Sequence, residues 1–217
     1  MEALVTGADT GIGRTVVEAF AAAGHQLMVT GGEDVKRLAA ELGTAAVVCD
    51  AADPVSLAEA QTRFPQHLDT VVVVPAAISD ESRSTTLAGT AAAWRTAFDS
   101  SVLSVVLTAQ AATEHLRPGG SIIVVLPGCD TGPQAAAKAA LSEWTAAQAD
   151  HFGARGVTIN VVAAGRPAPP GYDGLHGTPL QAENEIARLA LFLSTPAARH
   201  ITGQTLHVGR GAAVTYR

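Results

Sequence analysis

The stretch Thr6-Gly7-Ala8-Asp9-Thr10-Gly11-Ile12-Gly13 is where this chain is best equipped to meet an anion. Glycines at Gly7, Gly11 and Gly13 let the backbone turn sharply and come close to a ligand. The stretch follows the apolar run Ala3-Leu4-Val5 and opens an amphipathic run from Arg14 to Ala23, which reads as strand, tight turn and helix. Unpaired N–H groups at the start of such a helix point at a negative group such as a pyrophosphate. Gly7, Thr10, Gly11, Ile12 and Gly13 are therefore the candidate nucleotide-binding residues of the turn. The plain alternative is a helix start that happens to be rich in glycine. Its place on the first strand of an alternating chain argues against that.

Two further places carry suitable groups. After the second apolar run comes Gly31-Gly32-Glu33-Asp34. A ribose 2′-hydroxyl usually meets a carboxylate at such a strand end, and a 2′-phosphate meets an arginine. Neither stands there directly. Glu33 and Asp34 fit either a ribose contact or the first turn of a helix, where acids favour the dipole. After the third run come Asp50, placed to accept from an adenine amino group, and Asp53, which precedes Pro54 as a helix cap does.

These residues need strand ends to hold them, and the chain supplies strands throughout. Strands are expected near Ala3–Thr6, Gln26–Thr30, Ala45–Cys49, Thr70–Val74, Ser121–Leu126, Thr158–Val162 and Gln204–Val208. Helices are expected near Gly11–Ala23, Asp34–Leu42, Pro54–Phe64, Thr90–Leu116, Gln134–Phe152 and Gln181–Leu193. This alternation predicts one α/β domain over residues 1–217, a Rossmann-type doubly wound parallel sheet of about seven strands with helices on both faces. Val71–Val74 and Ile122–Leu126 do not alternate with polar residues, as expected of central strands. Arg166 to Thr178, rich in Pro and Gly, is the one long loop.

Composition narrows the function classes. Of the 217 residues 47% are hydrophobic and 16% charged, and the longest apolar run, Val71 to Ile78, is far short of the roughly 18 residues of a membrane helix. A large core plus buried subunit contacts is the expectation, with no membrane partner. Net charge is −6 and no basic run exists, which argues against nucleic acid. Met1-Glu2-Ala3 carries no basic region ahead of the first strand, so no signal peptide is expected. Cys49 and Cys129 fit neither a disulfide framework nor a metal site, and a reducing cytoplasm is the expected compartment.

Taken in order, the chain resembles the short-chain dehydrogenase/reductase family nearly end to end. Thr6–Gly13 fits the family's TGxxxGxG turn, and Asp50 fits its adenine-side aspartate. Leu116-Arg117-Pro118-Gly119-Gly120-Ser121-Ile122-Ile123 looks like the approach to its fifth strand, and Val157-Thr158-Ile159-Asn160-Val161 like its sixth. Glu185-Ile186-Ala187 and Ile201-Thr202-Gly203-Gln204-Thr205-Leu206-His207-Val208 resemble its last helix and strand. The resemblance implies NAD or NADP as cofactor. It also implies a tyrosine that transfers the proton while the nicotinamide transfers hydride. A lysine four residues on lowers the tyrosine pKa and holds the nicotinamide ribose, a serine orients the carbonyl, and an asparagine holds a relay water.

Only part of that set is present. Lys138, in Ala137-Lys138-Ala139-Ala140-Leu141, fits the lysine. Gln134 stands where the tyrosine would be, Leu126-Pro127 where the serine would be, and Ser101 where the asparagine would be. Ala164-Gly165 replaces the proline-glycine pair, and the loops from Pro127 to Gln134 and from Gly165 to Glu185 are shorter than the family's. A glutamine forms hydrogen bonds but exchanges no proton near neutral pH, and general acid–base catalysis typically contributes about 10²–10⁴-fold. Substitute proton donors by position are Asp130, Cys129 and Ser101 near strand ends, and Tyr172 and His176 in the long loop. Residues 90–116 and 134–152 match the family's dimer helices, which implies a homo- or hetero-oligomer.

The leading expectation is therefore a nucleotide-binding protein with a degenerate catalytic site. It would act as a non-catalytic subunit beside an active paralogue, or as a nucleotide-bound structural or regulatory partner of an oxidoreductase. The alternative is an active NAD(P)-dependent oxidoreductase acting on a carbonyl or alcohol with a relocated proton donor. A non-redox reaction on the same fold is the third reading.

Overall fold

The computed structural model describes residues 1–76, 85–128, 132–165 and 182–209. In chain order they form β1 (Glu2–Thr6), α1 (Gly11–Ala22), β2 (Gln26–Gly31), α2 (Val35–Leu42), β3 (Ala45–Val48), α3 (Pro54–Gln61) and β4 (Leu68–Val73). There follow α4 (Leu87–Phe98), α5 (Ser104–Ala112), β5 (Leu116–Leu126), α6 (Gly132–Gly153), β6 (Thr158–Ala164), α7 (Ala182–Leu193) and β7 (Thr205–Val208). The seven strands make one parallel sheet in the order β3-β2-β1-β4-β5-β6-β7. The chain winds one way from β1 to β3 and then returns to place β4 on the other side of β1. That reversal opens a crevice at the carboxyl ends of β1 and β4, where doubly wound sheets bind ligands.

Strand pleating distributes the core to both faces. Leu4, Val71, Ile122 and Val124 pack into one cluster with Leu57, Val105, Leu141 and Phe152 from α3, α5 and α6. Their strand neighbours Val5, Val72, Ile123 and Val125 point the other way, against Val16, Phe20, Ile186 and Leu193 from α1 and α7. This two-sided burial is why β4 and β5 read as unbroken apolar runs. Buried Asn160 fixes the approach to β7: its Nδ2 donates to the Ile201 carbonyl at 2.7 Å and its Oδ1 accepts from the Gln204 N–H at 3.1 Å.

The helix expected over Thr90–Leu116 is corrected at three points. It starts at Leu87, where the Thr86 hydroxyl accepts from the Gly89 N–H at 3.1 Å. A π-helical turn over Asp99–Leu103 divides it into α4 and α5. It ends at Ala112, and Leu116 belongs to β5, beside Leu68. The hydroxyls near the break bond back to the helix: Ser100 Oγ donates to the Thr96 carbonyl at 2.8 Å and Ser104 Oγ to the Ser100 carbonyl at 2.7 Å. Such bonds pull carbonyls out of the regular ladder and bend helices. The long loop expected over Arg166–Thr178 lies outside the described residues.

Candidate active site

The glycine turn divides its work among its residues. Thr10 caps α1: its Oγ1 accepts from the Gly13 N–H at 3.0 Å and donates to the Gly7 carbonyl at 2.8 Å. Gly7 has φ +63°, and a Cβ there would overlap the Val74 carbonyl oxygen. A Cβ on Gly13 would overlap the Gly7 carbonyl oxygen and sit 2.7 Å from Thr10 Oγ1. Ile12 is buried and anchors the helix in the core. Those four residues have structural reasons for being what they are. Gly11 has none: a Cβ there meets only Glu183 Oε1, at 4.0 Å. The Gly11 and Ile12 amides have no hydrogen-bond partner among the described residues. Two orphan N–H groups at a helix start, with open space before them, fit a pyrophosphate.

Gly7, Asp9 and Thr10 line one side of an open cleft of about 620 Å³, within the usual size of a ligand pocket, and Gly11 lines an adjoining hollow of about 110 Å³ that shares Asp9 and Thr10 with it. Asp50 lines the far end of the cleft. Its Oδ1 accepts from the Ala52 N–H at 2.9 Å, which fixes the carboxylate and leaves Oδ2 for a ligand. Asp53 lies outside that lining and caps α3, accepting from the Val55 and Ser56 N–H groups at 3.2 and 3.3 Å. Glu33 pairs with Lys36 at 2.9 Å and Asp34 with Arg37 at 3.3 Å.

The strand end that looked bare in the sequence is not bare. Asp9, from the glycine turn, reaches across so that its Oδ2 accepts from the Gly32 N–H at 2.8 Å. A Cβ on Gly31 would overlap Asp9 Oδ1, and one on Gly32 would sit 2.9 Å from Oδ2. The Gly31-Gly32 pair is the signal that sequence reasoning passed over: two absent side chains make room for a third from elsewhere.

A smaller hollow of about 40 Å³ adjoins the cleft and shares Pro75 and Ala76 as walls with it. Here the structure brings together Ser101, Gln134 and Lys138. Ser101 is buried in the π-helical turn. Gln134 and Lys138 lie one turn apart on α6, so both face the hollow. Lys138 Nζ donates to the Ala164 carbonyl at 2.5 Å, at the carboxyl end of β6. Lys138 is the only lining residue of this hollow, among the described residues, that carries a titratable proton. His207, on β7, feels the same ammonium: burial and then Lys138 hold its imidazole below the ordinary histidine range. Cys129, Asp130, Tyr172 and His176 lie outside the described residues. No cluster of His, Cys, Asp and Glu suited to a metal occurs among the described residues.

Residues 7–213 match the family model described as enoyl-(acyl carrier protein) reductase. The chain is 31% identical to the galactitol 2-dehydrogenase (L-tagatose-forming) of Cereibacter sphaeroides, over 98% of this chain and 94% of that one. The chain belongs to the short-chain dehydrogenase/reductase family. Within it, a putative oxidoreductase of Mycobacterium tuberculosis is 55% identical over 98% of both chains. A solved short-chain dehydrogenase from Burkholderia cenocepacia, in complex with NADP, is 29% identical, covers 98% of this chain and 97% of its own, and superposes with a TM-score of 0.78.

These relatives correct the expectation of a non-catalytic subunit. The short-chain dehydrogenase/reductase proteins that match this chain end to end are named as dehydrogenases and oxidoreductases. The physical reason is visible in the hollow. Losing tyrosine, serine and asparagine changes which groups line it, but neither fills nor disconnects it from the cleft. No helix among the described residues is long and apolar enough to cross a membrane.

Proposed function

We propose that this chain is an NAD(P)-dependent oxidoreductase that interconverts a carbonyl compound and an alcohol, with its proton donor moved from the usual tyrosine position to Lys138. The observation that carries this reading is the meeting of the two hollows at Pro75 and Ala76, with the open glycine turn in one and Lys138 in the other. The orphan amides of Gly11 and Ile12 hold the pyrophosphate, and Gly7, Thr10 and Gly13 keep the turn in shape. Asp50 accepts from the adenine amino group. When bound, the nicotinamide supplies the hydride.

The remaining chemistry belongs to Ser101, Gln134 and Lys138. An amine on a lysine stem is protonated at neutral pH and readily retuned by its surroundings. As the carbonyl carbon gains a hydride, its oxygen takes a proton from Lys138 Nζ, and water restores the ammonium. The Ala164 carbonyl holds that ammonium at the carboxyl end of β6. The Ser101 hydroxyl and the Gln134 amide orient the substrate oxygen by hydrogen bonds and need not titrate. The test is reductase and dehydrogenase turnover of the purified chain with both cofactors. The panel should hold polyols, ketones and 3-oxoacyl thioesters. Lys138→Met should lower turnover by about 10²-fold or more while nucleotide still binds. A Lys138→Met enzyme as fast as wild type would remove Lys138 from the mechanism.

We also propose that α4 and α6 dock against a second copy of the chain. Leu87 is 91% and Trp94 42% exposed on and beside α4, and α6 buries only four of its 22 residues. A reducing, cytoplasmic setting is part of the same reading.

A further inference from the structure

We infer that Asp9 makes this chain select NAD(H) over NADP(H). The inference rests on the nucleotide reading of the cleft proposed above. The two cofactors differ by a phosphate on the adenosine ribose, which doubly wound folds meet at the end of the second strand. Here that end is Gly31-Gly32, with no side chain of its own. The carboxylate comes instead from the glycine turn. Asp9 is seated over both glycines, with Oδ2 on the Gly32 N–H at 2.8 Å. One hydrogen bond leaves the carboxylate further lone pairs, and Asp9 lines the cleft. A ribose hydroxyl can donate to it. A phosphate, ionised to about −1.5 to −2 near neutral pH, has little proton to give and carries a like charge.

The surrounding charge points the same way. The described lining of the cleft holds Asp9, Glu33, Asp50 and Asp99, and neither lysine nor arginine. The nearest guanidinium groups, Arg14 and Arg37, line an adjoining hollow on the other side of Asp9, which shares Asp9 and Thr10 with the cleft and includes Gly11. Each is already paired, Arg14 with Glu18 at 2.9 Å and Glu41 at 2.7 Å, and Arg37 with Asp34 at 3.3 Å. Recruiting either to a phosphate would compete with those pairs. A doubly charged phosphate about 4 Å from one carboxylate, in a solvent-exposed site, is disfavoured by roughly ten- to thirtyfold at low salt. Screening reduces that ratio at high salt.

The test is a fluorescence or calorimetric titration of the wild-type chain with NADH and NADPH, at low and high salt, without substrate. Asp9→Asn is the informative variant, because its amide oxygen still accepts from the Gly32 N–H while the charge is gone. The expected result is NADH binding at least tenfold tighter than NADPH in the wild type. That ratio should narrow with salt and shrink in Asp9→Asn through improved NADPH binding. NADPH binding as tightly as NADH, or an unchanged ratio in Asp9→Asn, would overturn this inference and leave the nucleotide site standing. So would a wild type whose NADPH binding falls tenfold in Arg37→Ala, which would assign the phosphate to the arginine hollow. Binding of neither cofactor would overturn the nucleotide reading and this inference together.

Discussion

Gly11→Ala separates a glycine kept for a ligand from glycines kept for the fold. Gly11 opens α1 with no positive φ, and a Cβ there meets nothing closer than 4.0 Å. A glycine replaced by alanine where the backbone allows it stabilises a protein by about 0.4–1 kcal/mol, by restricting the unfolded chain. For a chain of this size that raises Tm by about 1–4 °C. The same methyl is carried on the Cα next to the Gly11 amide, so it crowds a ligand held by that N–H. Holding a pyrophosphate off that donor forfeits a charge-assisted hydrogen bond of about 1.5–3 kcal/mol, a ten- to 150-fold loss of affinity. Thermal melting and a cofactor titration on the same sample measure both effects. The reasoning requires them to move in opposite directions: a more stable chain that binds nucleotide more weakly. A variant with unchanged cofactor affinity would show that the open space at Gly11 is not where the pyrophosphate sits.

Gly7→Ala should do the reverse, costing roughly 3 kcal/mol or more, because its Cβ runs into the Val74 backbone at φ +63°; chemical denaturation would read the loss. Two histidines should make the fold acid-sensitive. Burial first, and then Lys138, depress the His207 imidazole, and burial first, then the N-terminal ammonium, depress His25, which Asp69 partly opposes. With folded values below the ordinary 6.5, the unfolded chain binds more protons as pH falls below that point. Stability is therefore complete above about pH 6.5 and declines on acidification, and His207→Gln should flatten the decline in melts taken from pH 7.5 to 5. Cys49, whose thiol is pushed up chiefly by burial, should alkylate more slowly than an exposed cysteine at pH 7.5. Trp94→Glu should shift the sedimentation coefficient toward that of a monomer.

Most of the scaffold could be read from the sequence because burial writes itself into local pattern. Val71–Val74 and Ile122–Leu126 lack polar alternation because each packs on two faces, and both became central strands. The break near Leu116 was also written there: Pro118 cannot continue a helix and Gly119 adopts φ +88°. The π-helical turn was not, since its Ser100 and Ser104 bonds look the same in sequence as ordinary surface serines. Asp9 escaped for a different reason. Its partner, Gly32, is 23 residues away, and only folding brings β2 beside the turn. The functional misreading had its own cause. Gln134 in place of tyrosine reads as loss of activity, whereas the hollow it lines remains open, keeps Ser101 and Lys138 in its mostly apolar lining and adjoins the cleft. A missing residue type speaks to which group moves the proton. It does not speak to whether one moves.

The most direct measurement follows nicotinamide absorbance while the purified chain, with cofactor shown to be bound, meets the carbonyl and alcohol panel in both directions. An active oxidoreductase gives hydride transfer with at least one substrate class, slowed by about 10²-fold or more in Lys138→Met. A chain that binds NADH but transfers no hydride to or from any class on that panel would contradict the account.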